Sequence, residues 1–348
     1  MINDVKIGAY RGLKELEIKE LKNINVFVGP NNCGKTSILE AIILSVLFEK
    51  TEPLMDILLS RYHDFSPELF VALFPEGQES VIDLWSRIDH EEKMLHTCLT
   101  YKKIGQVIAN KDEIEIHDAY ELKFDYSMNS EDHDYFRLRI VTENDEYIIN
   151  WEKSKENKLD MRMNVPCRFI SFSRFDRSGQ FLKTLDELLN KNLRQELLEI
   201  LQIFDAQIEN FEIVGSKRVI KLFRKGEKTP LTLYDYGNGM YKAFYIAISA
   251  LMAKDGILLV DEVEAGIHNK ALECFIQKLI VVCEKNNVQL FFTTHSLEAI
   301  DILLNDCKDK LNDVAFYHVR NSQNKSVAKR YDGEKLLSLR NEIGFDIR

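Results

Sequence analysis

No C-x-x-C pair occurs among the six cysteines, Cys33, Cys98, Cys167, Cys274, Cys283 and Cys307, and no signal-peptide pattern precedes them. Thiols scattered in this way point to a reduced, cytoplasmic setting. Long apolar runs are missing too. Ala41–Phe48 and Ile246–Ala253 are each interrupted by serine, and both fall well short of the ~20 residues that a membrane helix needs, so no membrane partner is expected. Basic residues are outnumbered, with 46 Lys and Arg against 56 Asp and Glu and a net charge of -10. That excludes wholesale nucleic-acid binding and leaves any contact with DNA to a local basic patch. His90, His96, His117 and His133 fall at irregular intervals that match no metal-ligand spacing, and they read as surface histidines. What remains is a globular composition. With 348 residues, 45% hydrophobic and 29% charged, there is ample material for a core in one composite domain or two.

One stretch organises the rest. Val26-Phe27-Val28-Gly29-Pro30-Asn31-Asn32-Cys33-Gly34-Lys35-Thr36-Ser37 contains G-x-x-x-x-G-K-[ST] in full. The apolar run Ile24–Val28 before it predicts a buried strand, and Ile38–Ile43 after it predicts a helix. Glycines let successive backbone N–H groups turn toward phosphate oxygens, and a helix start adds the positive end of its dipole. Gly29, Asn31, Asn32, Cys33, Gly34, Lys35, Thr36 and Ser37 are therefore expected to bind a nucleoside triphosphate. Lys35 would reach the β- and γ-phosphates, and the Thr36 hydroxyl would ligate magnesium. Cys33 is either a reactive thiol at a helix start or a small residue that fits the loop.

Strand patterns precede the loop at Val5–Ile7, Leu13–Ile18 and Ile24–Val28, and between them Arg11 follows Tyr10 and precedes Gly12. Its planar guanidinium is suited to a nucleotide base or phosphate; an exposed hairpin arginine is the other reading. Helical spacing is expected over 38 to about 60 and over roughly 66–95. From Leu95 to Ile149 the period changes to that of an antiparallel β meander, which returns through the strand-like Cys167–Ser173. From about Gln180 a leucine stripe running to Leu201 predicts a compact helical insert. Lys217, Arg218, Lys221, Arg224, Lys225 and Lys228 put six basic residues into twelve on a hairpin that turns near Lys225-Gly226. It is either a solvated hairpin or a contact for nucleic acid or an acidic partner.

The C-terminal third completes a site. Gly256–Val260 is an apolar strand ending in Asp261 and Glu262; Asp at that position would hold magnesium and Glu would accept a proton from an attacking water. Gln289–Thr294 is a second buried strand, ending in His295, which can hydrogen-bond a γ-phosphate or the hydrolytic water. Gly237-Asn238-Gly239 precedes a helix of small and apolar residues and again offers amides to an anion.

These elements in this order resemble the ATP-binding-cassette type of ATPase. Within it, Tyr10-Arg11-Gly12, Gly237-Asn238-Gly239, Asp261–His268 and Thr294-His295-Ser296 resemble the overcoming-lysogenization-defect (OLD) group and related AAA-labelled defence ATPases. The resemblance implies an α/β ABC-type P-loop ATPase head with an antiparallel β meander and a small helical insert. Lobe I would comprise about 1–60 and 230–348, the meander about 95–172 and the helical lobe about 174–215. It also implies an ATP-sandwiched homodimer, with Gly237, Asn238 and Gly239 acting as a signature loop on the opposite subunit's nucleotide and His295 as the switch histidine. The family's signature serine is replaced here by Tyr234-Asp235-Tyr236, and the polar residue of the loop joining the lobes has Ser173, Arg174 and Gln180 as candidates. No long coiled coil is present, and the carboxylate cluster of a toprim nuclease is not expected in the roughly fifty residues after His295.

The expected function is an ATP-hydrolysing, magnesium-dependent switch of bacterial anti-phage defence that controls a separately encoded effector such as a nuclease. The alternative is a DNA repair or recombination ATPase of RecF or SMC type that binds DNA through the basic hairpin. A transporter subunit is a third reading, against which the motifs diverge.

Overall fold

The computed structural model describes residues 1–46, 57, 67–74, 81–88, 94–110, 113–128, 132–143, 146–153, 165–171, 180–216, 218–306, 308–321 and 325–348. The chain opens with β1 (Ile2–Tyr10), β2 (Leu13–Ile18), β3 (Ile24–Val28) and α1 (Lys35–Val46). A 3-10 segment at Pro67–Leu73 leads to β4 (Val81–Ile88), β5 (Leu95–Asn110), β6 (Glu113–Met128), β7 (Asp132–Glu143) and β8 (Glu146–Lys153). Next come β9 (Cys167–Ile170), α2 (Gln180–Asn190), α3 (Arg194–Phe204), β10 (Ile208–Val214), β11 (Val219–Arg224), β12 (Leu231–Thr232) and α4 (Asn238–Met252). The remainder is β13 (Ile257–Val260), α5 (Asn269–Lys285), β14 (Gln289–Thr293), α6 (Leu297–Asp306), β15 (Val314–Asn321), β16 (Ser326–Asp332) and α7 (Gly333–Ile343). These fall into two compact units, one of residues 1–21, 31–165 and 319–328, the other of 22–30, 166–318 and 329–348.

The first unit is built on a seven-stranded sheet in the order β2-β1-β4-β5-β6-β7-β8, antiparallel throughout. Side chains alternate between a buried and a partly exposed face, as a one-sided sheet requires. In β4, Ile82, Leu84, Ser86 and Ile88 point inward, and in β6 Tyr120, Leu122, Phe124 and Tyr126 do. The helical spacing expected over 66–95 is thus overturned at Val81–Ile88, where burial alternates at every residue and the strand pairs with β1. Period-two burial on a strand paired on both sides, with β1 and β5, wins over a loose i, i+3 pattern there. Helix α1 packs on β1, β4 and β5. The carbonyl of Ser45 in its last turn accepts from Ser86 Oγ at 3.2 Å and Thr97 Oγ1 at 3.4 Å. Those hydroxyls tie the helix to two neighbouring strands of the sheet.

The second unit is built on a six-stranded sheet in the order β16-β15-β3-β14-β13-β9. The pairs β15/β3, β3/β14, β14/β13 and β13/β9 are parallel. Its central strands are apolar along their whole length because both faces are covered; β3, β13 and β14 have no exposed residue. Helix α4, apolar on nearly every side, is buried against β9 and β13 and against α2, α3 and α5. The hairpin of β10, β11 and β12 forms a separate three-stranded sheet. Parallel order brings the carboxyl ends of β3, β14 and β13 to one edge. Gly29, Thr294-His295 and Asp261-Glu262 follow directly from them.

Candidate active site

Gly29 and Pro30 end β3 in the second unit, and Asn31–Ser37 open α1 in the first. Positive φ recurs at Gly29 (140°), Asn32 (59°) and Gly34 (96°), a pattern open to glycine and tolerated by asparagine. At Gly34 a Cβ would also lie 2.5 Å from Leu13 Cδ2, so no side chain fits. The amide of Ile38 donates to the Gly34 carbonyl at 2.9 Å, which sets the positive end of the helix dipole on Gly34–Ser37. Lys35 is buried, with Nζ 3.8 Å from Cys33 Sγ. Burial pushes the Cys33 thiol up despite the nearby ammonium, the opposite of activation.

Arg11 is not an exposed hairpin arginine. Its side chain is 11% exposed, and Nε lies 2.9 Å from Glu40 Oε2 on α1 and 3.1 Å from Tyr10 Oη. Tyr10 Oη donates to the same carboxylate at 3.0 Å, and burial, then Glu40, raise the phenol above its ordinary range. The Arg11 backbone, at φ 50°, is held by its N–H on the Leu73 carbonyl at 3.2 Å. A fully buried carboxylate is costly without such partners, and the arginine is thereby pinned to the helix that begins at Lys35.

In the second unit the carboxylate strand and the histidine strand are joined by a residue that motif reading does not single out. Thr293 Oγ1 donates to Asp261 Oδ1 at 2.7 Å and accepts the Glu262 N–H at 2.7 Å. Asp261 is buried and its own N–H donates to the Ile170 carbonyl at 2.8 Å. Glu262 takes a left-handed φ of 49°, unusual for a non-glycine residue. Lys242 Nζ donates to the Glu262 carbonyl, and Lys242 is fully buried. Burial brings its ammonium down to about 8 while Glu264, Glu262 and Asp261 oppose the fall. Glu264 Oε1 accepts the His295 N–H at 2.7 Å, while its Oε2 is buried with no hydrogen bond to the described residues. Lys242 is visible in the sequence only as the single charge in α4, and Thr293 only as a polar residue closing an apolar strand.

Gly237 (φ 87°) precedes α4, and Gly237 and Asn238 are exposed. Gly239 approaches the carboxylate loop so closely that a Cβ there would lie 2.2 Å from the Gly266 carbonyl oxygen. The Tyr234-Asp235-Tyr236 substitution has its own logic. Asp235 Oδ2 accepts the Thr232 N–H at 2.7 Å and its hydroxyl at 2.8 Å, closing a capping box. Tyr236 Oη donates to Asp205 at 3.0 Å, and the exposed Tyr234 ring stacks on Tyr241 with centroids 5.1 Å apart. In the basic hairpin, Arg218 pairs with Asp186, and Arg224 pairs with Asp205 at 2.7 Å and with Glu227. Lys225 and Lys228 are exposed and Lys221 is half-buried, while Lys217 lies outside the described residues. Ser173 and Arg174 lie outside them as well, as does His90; Gln180 is the first residue of α2. His96 pairs with Asp83 at 2.9 Å and stacks on Trp85.

A phosphate loop at the end of a central parallel strand, an acid pair two strands away and a histidine on the strand between define a P-loop ATPase head of the ATP-binding-cassette type. A family model described as "AAA domain, putative AbiEii toxin, Type IV TA system" matches residues 24–301. That is most of the chain, which belongs to this family of AAA domains, and the protein is an ATPase. An ATP/GTP phosphatase of Helicobacter pylori is 23% identical, with 97% of each chain covered. The DNA replication and repair protein RecF of Clostridium tetani is 24% identical over 68% of this chain and 56% of its own length. A solved Smc head domain with an extended coiled coil, bound to the C-terminal domain of ScpA and derived from Pyrococcus furiosus, superposes with a TM-score of 0.49 at 12% identity, covering 99% of each chain. Among the described residues, no helix is long and apolar enough to cross a membrane.

Proposed function

We propose that the protein is a magnesium-dependent switch in which two copies close on ATP and hydrolysis releases them. The observation that carries this is the Thr293 hydroxyl, which holds Asp261 and the Glu262 amide in one fixed arrangement at the sheet edge where Gly29 also lies. Asn31–Ser37 would cradle the phosphates, Lys35 would pair with the β- and γ-phosphates, and Arg11, pinned by Glu40, would add charge beside them. Water attacks the γ-phosphorus, the bond to the ADP oxygen breaks, and Glu262 takes the water's proton. The His295 ring would hydrogen-bond the γ-phosphate or that water. Gly237, Asn238 and Gly239 would close on the nucleotide of the other copy.

Asp261 and Thr36 would each offer magnesium a hard oxygen, the donor type it takes. Magnesium, when bound, supplies charge neutralisation on the β- and γ-phosphates. The test is Glu262→Gln. It should bind ATP, hydrolyse it about 100-fold more slowly and elute as a dimer with ATP; monomeric elution at every ATP concentration would refute the sandwich.

For the output of the switch, the proposal is control of a separately encoded effector in anti-phage defence, in the manner of the OLD-like ATPases. Its support is the motif resemblance together with a family description that names a toxin of a toxin–antitoxin system. A neighbouring gene product should co-purify with the native protein, and protection by this chain alone would sink the idea. Direct DNA binding is the second reading, favoured by the similarity to RecF and by the exposed Lys225 and Lys228. It requires an affinity that falls steeply with salt and disappears when Lys221, Lys225 and Lys228 become alanine.

A further inference from the structure

Helix α4 carries one charge, Lys242, and buries it completely. Its ammonium donates to the carbonyl of Glu262, and the charges of Glu264, Glu262 and Asp261 act on it. A buried lysine is a poor packing element, since an apolar side chain of similar length fills the same space without desolvating a charge. The position calls for something other than stability. Glu262 sits at a left-handed φ of 49°, a conformation that persists only where the surroundings hold it. Its N–H is taken by Thr293 and its carbonyl by Lys242, so the peptide is gripped from strand β14 on one side and helix α4 on the other.

We propose that Lys242 is a positioning residue for ATP hydrolysis: it clamps the backbone of Glu262 and thereby makes the placement of that carboxylate depend on the seating of the helix that begins at Gly237-Asn238-Gly239. The proposal rests on the reading of Glu262 as the proton acceptor. Two further features support it. The first turn of α4 already touches the same loop, backbone against backbone, at Gly239 and Gly266. Three carboxylates on four consecutive residues also repel one another unless a cation lies among them, and Lys242 supplies that cation from within the chain. Glu264, whose charge acts on the ammonium, accepts the His295 N–H through Oε1.

The experiment compares Lys242→Met, Lys242→Arg, Glu262→Gln and the Lys242→Met/Glu262→Gln double variant in the full chain. The readouts are thermal melting, binding of a fluorescent ATP analogue and steady-state turnover. Lys242→Met should still melt cooperatively, though below the wild-type temperature because the carboxylates lose their buried cation, bind the analogue within about twofold of wild type, and lose about 100-fold in kcat. In the Glu262→Gln background it should add nothing further, because it acts through that residue. Wild-type turnover in Lys242→Met, a loss of binding in proportion to kcat, or a loss that multiplies with Glu262→Gln would each overturn the proposal. Should Lys242→Met lack a cooperative melt, Lys242→Arg carries the test. It should turn over within about tenfold of wild type, and a folded, ATP-binding Arg variant no faster than Glu262→Gln overturns it. Failure of the underlying reading shows separately, as Glu262→Gln hydrolysing ATP at the wild-type rate.

Discussion

Replacing Thr293 by valine keeps shape and removes only the hydroxyl that joins Asp261 to the Glu262 amide, with both contacts at 2.7 Å. A hydrogen bond to a charged group contributes about 1.5–3 kcal/mol, and a stranded buried N–H costs about 1–3 kcal/mol. Glu262 is only partly buried, so water can recover some of the second amount, and the expected loss of stability is about 3 kcal/mol. In a protein of 348 residues that lowers the melting temperature by about 4 °C. The effect on chemistry is larger in proportion. The aspartate loses its orienting donor and the glutamate loses one of its two backbone anchors, and misplacement of a catalytic group by an ångström costs about 100-fold in rate. ATP affinity, assigned to the phosphate loop, should change by less than about threefold. The assay is a melting curve, a titration with a fluorescent ATP analogue and a phosphate-release rate, each on Thr293→Val and Thr293→Ser. Serine keeps the hydroxyl and should recover most of both losses. Wild-type turnover in the valine variant, or a serine variant no better than valine, would refute the bridge.

Lys35→Ala should abolish binding of the ATP analogue at concentrations that saturate wild type; unchanged ATPase activity in that variant would remove the phosphate loop from the site. Gly239→Ala should be more damaging than Gly237→Ala. The first places a Cβ 2.2 Å from the Gly266 carbonyl oxygen, whereas the second meets open space and strains only φ. The expected costs are about 3 kcal/mol, as for overpacking, and about 1 kcal/mol, read as urea midpoints; the reverse order would contradict the close approach.

The phosphate loop, the strand ending in Asp261-Glu262 and the strand ending before His295 were legible because each is a local pattern, a few residues long, whose chemistry and secondary structure coincide. The β meander was legible from its period, and its first strand was not. Val81–Ile88 shows its two faces only once β1 lies beside it, and flanking charged residues imitate a helical repeat. The pinning of Arg11 depends on Glu40, 29 residues away and reached only through the packing of α1 on β1. Charge counting found the basic hairpin yet missed that both of its arginines are paired with Asp186 and Asp205, which come from other elements. Thr293 and Lys242 were hardest to see. Each acts through a backbone group of Glu262, and backbone groups leave no trace in a motif.

The two hydroxyls on the Ser45 carbonyl bear on α1 as a mechanical part. Its twelve described residues form a rod about 18 Å long. Ser86 on β4 and Thr97 on β5 fasten that rod at the end away from Lys35 and Thr36. The two residues assigned to phosphate and magnesium thus ride on a bar bolted to the antiparallel sheet.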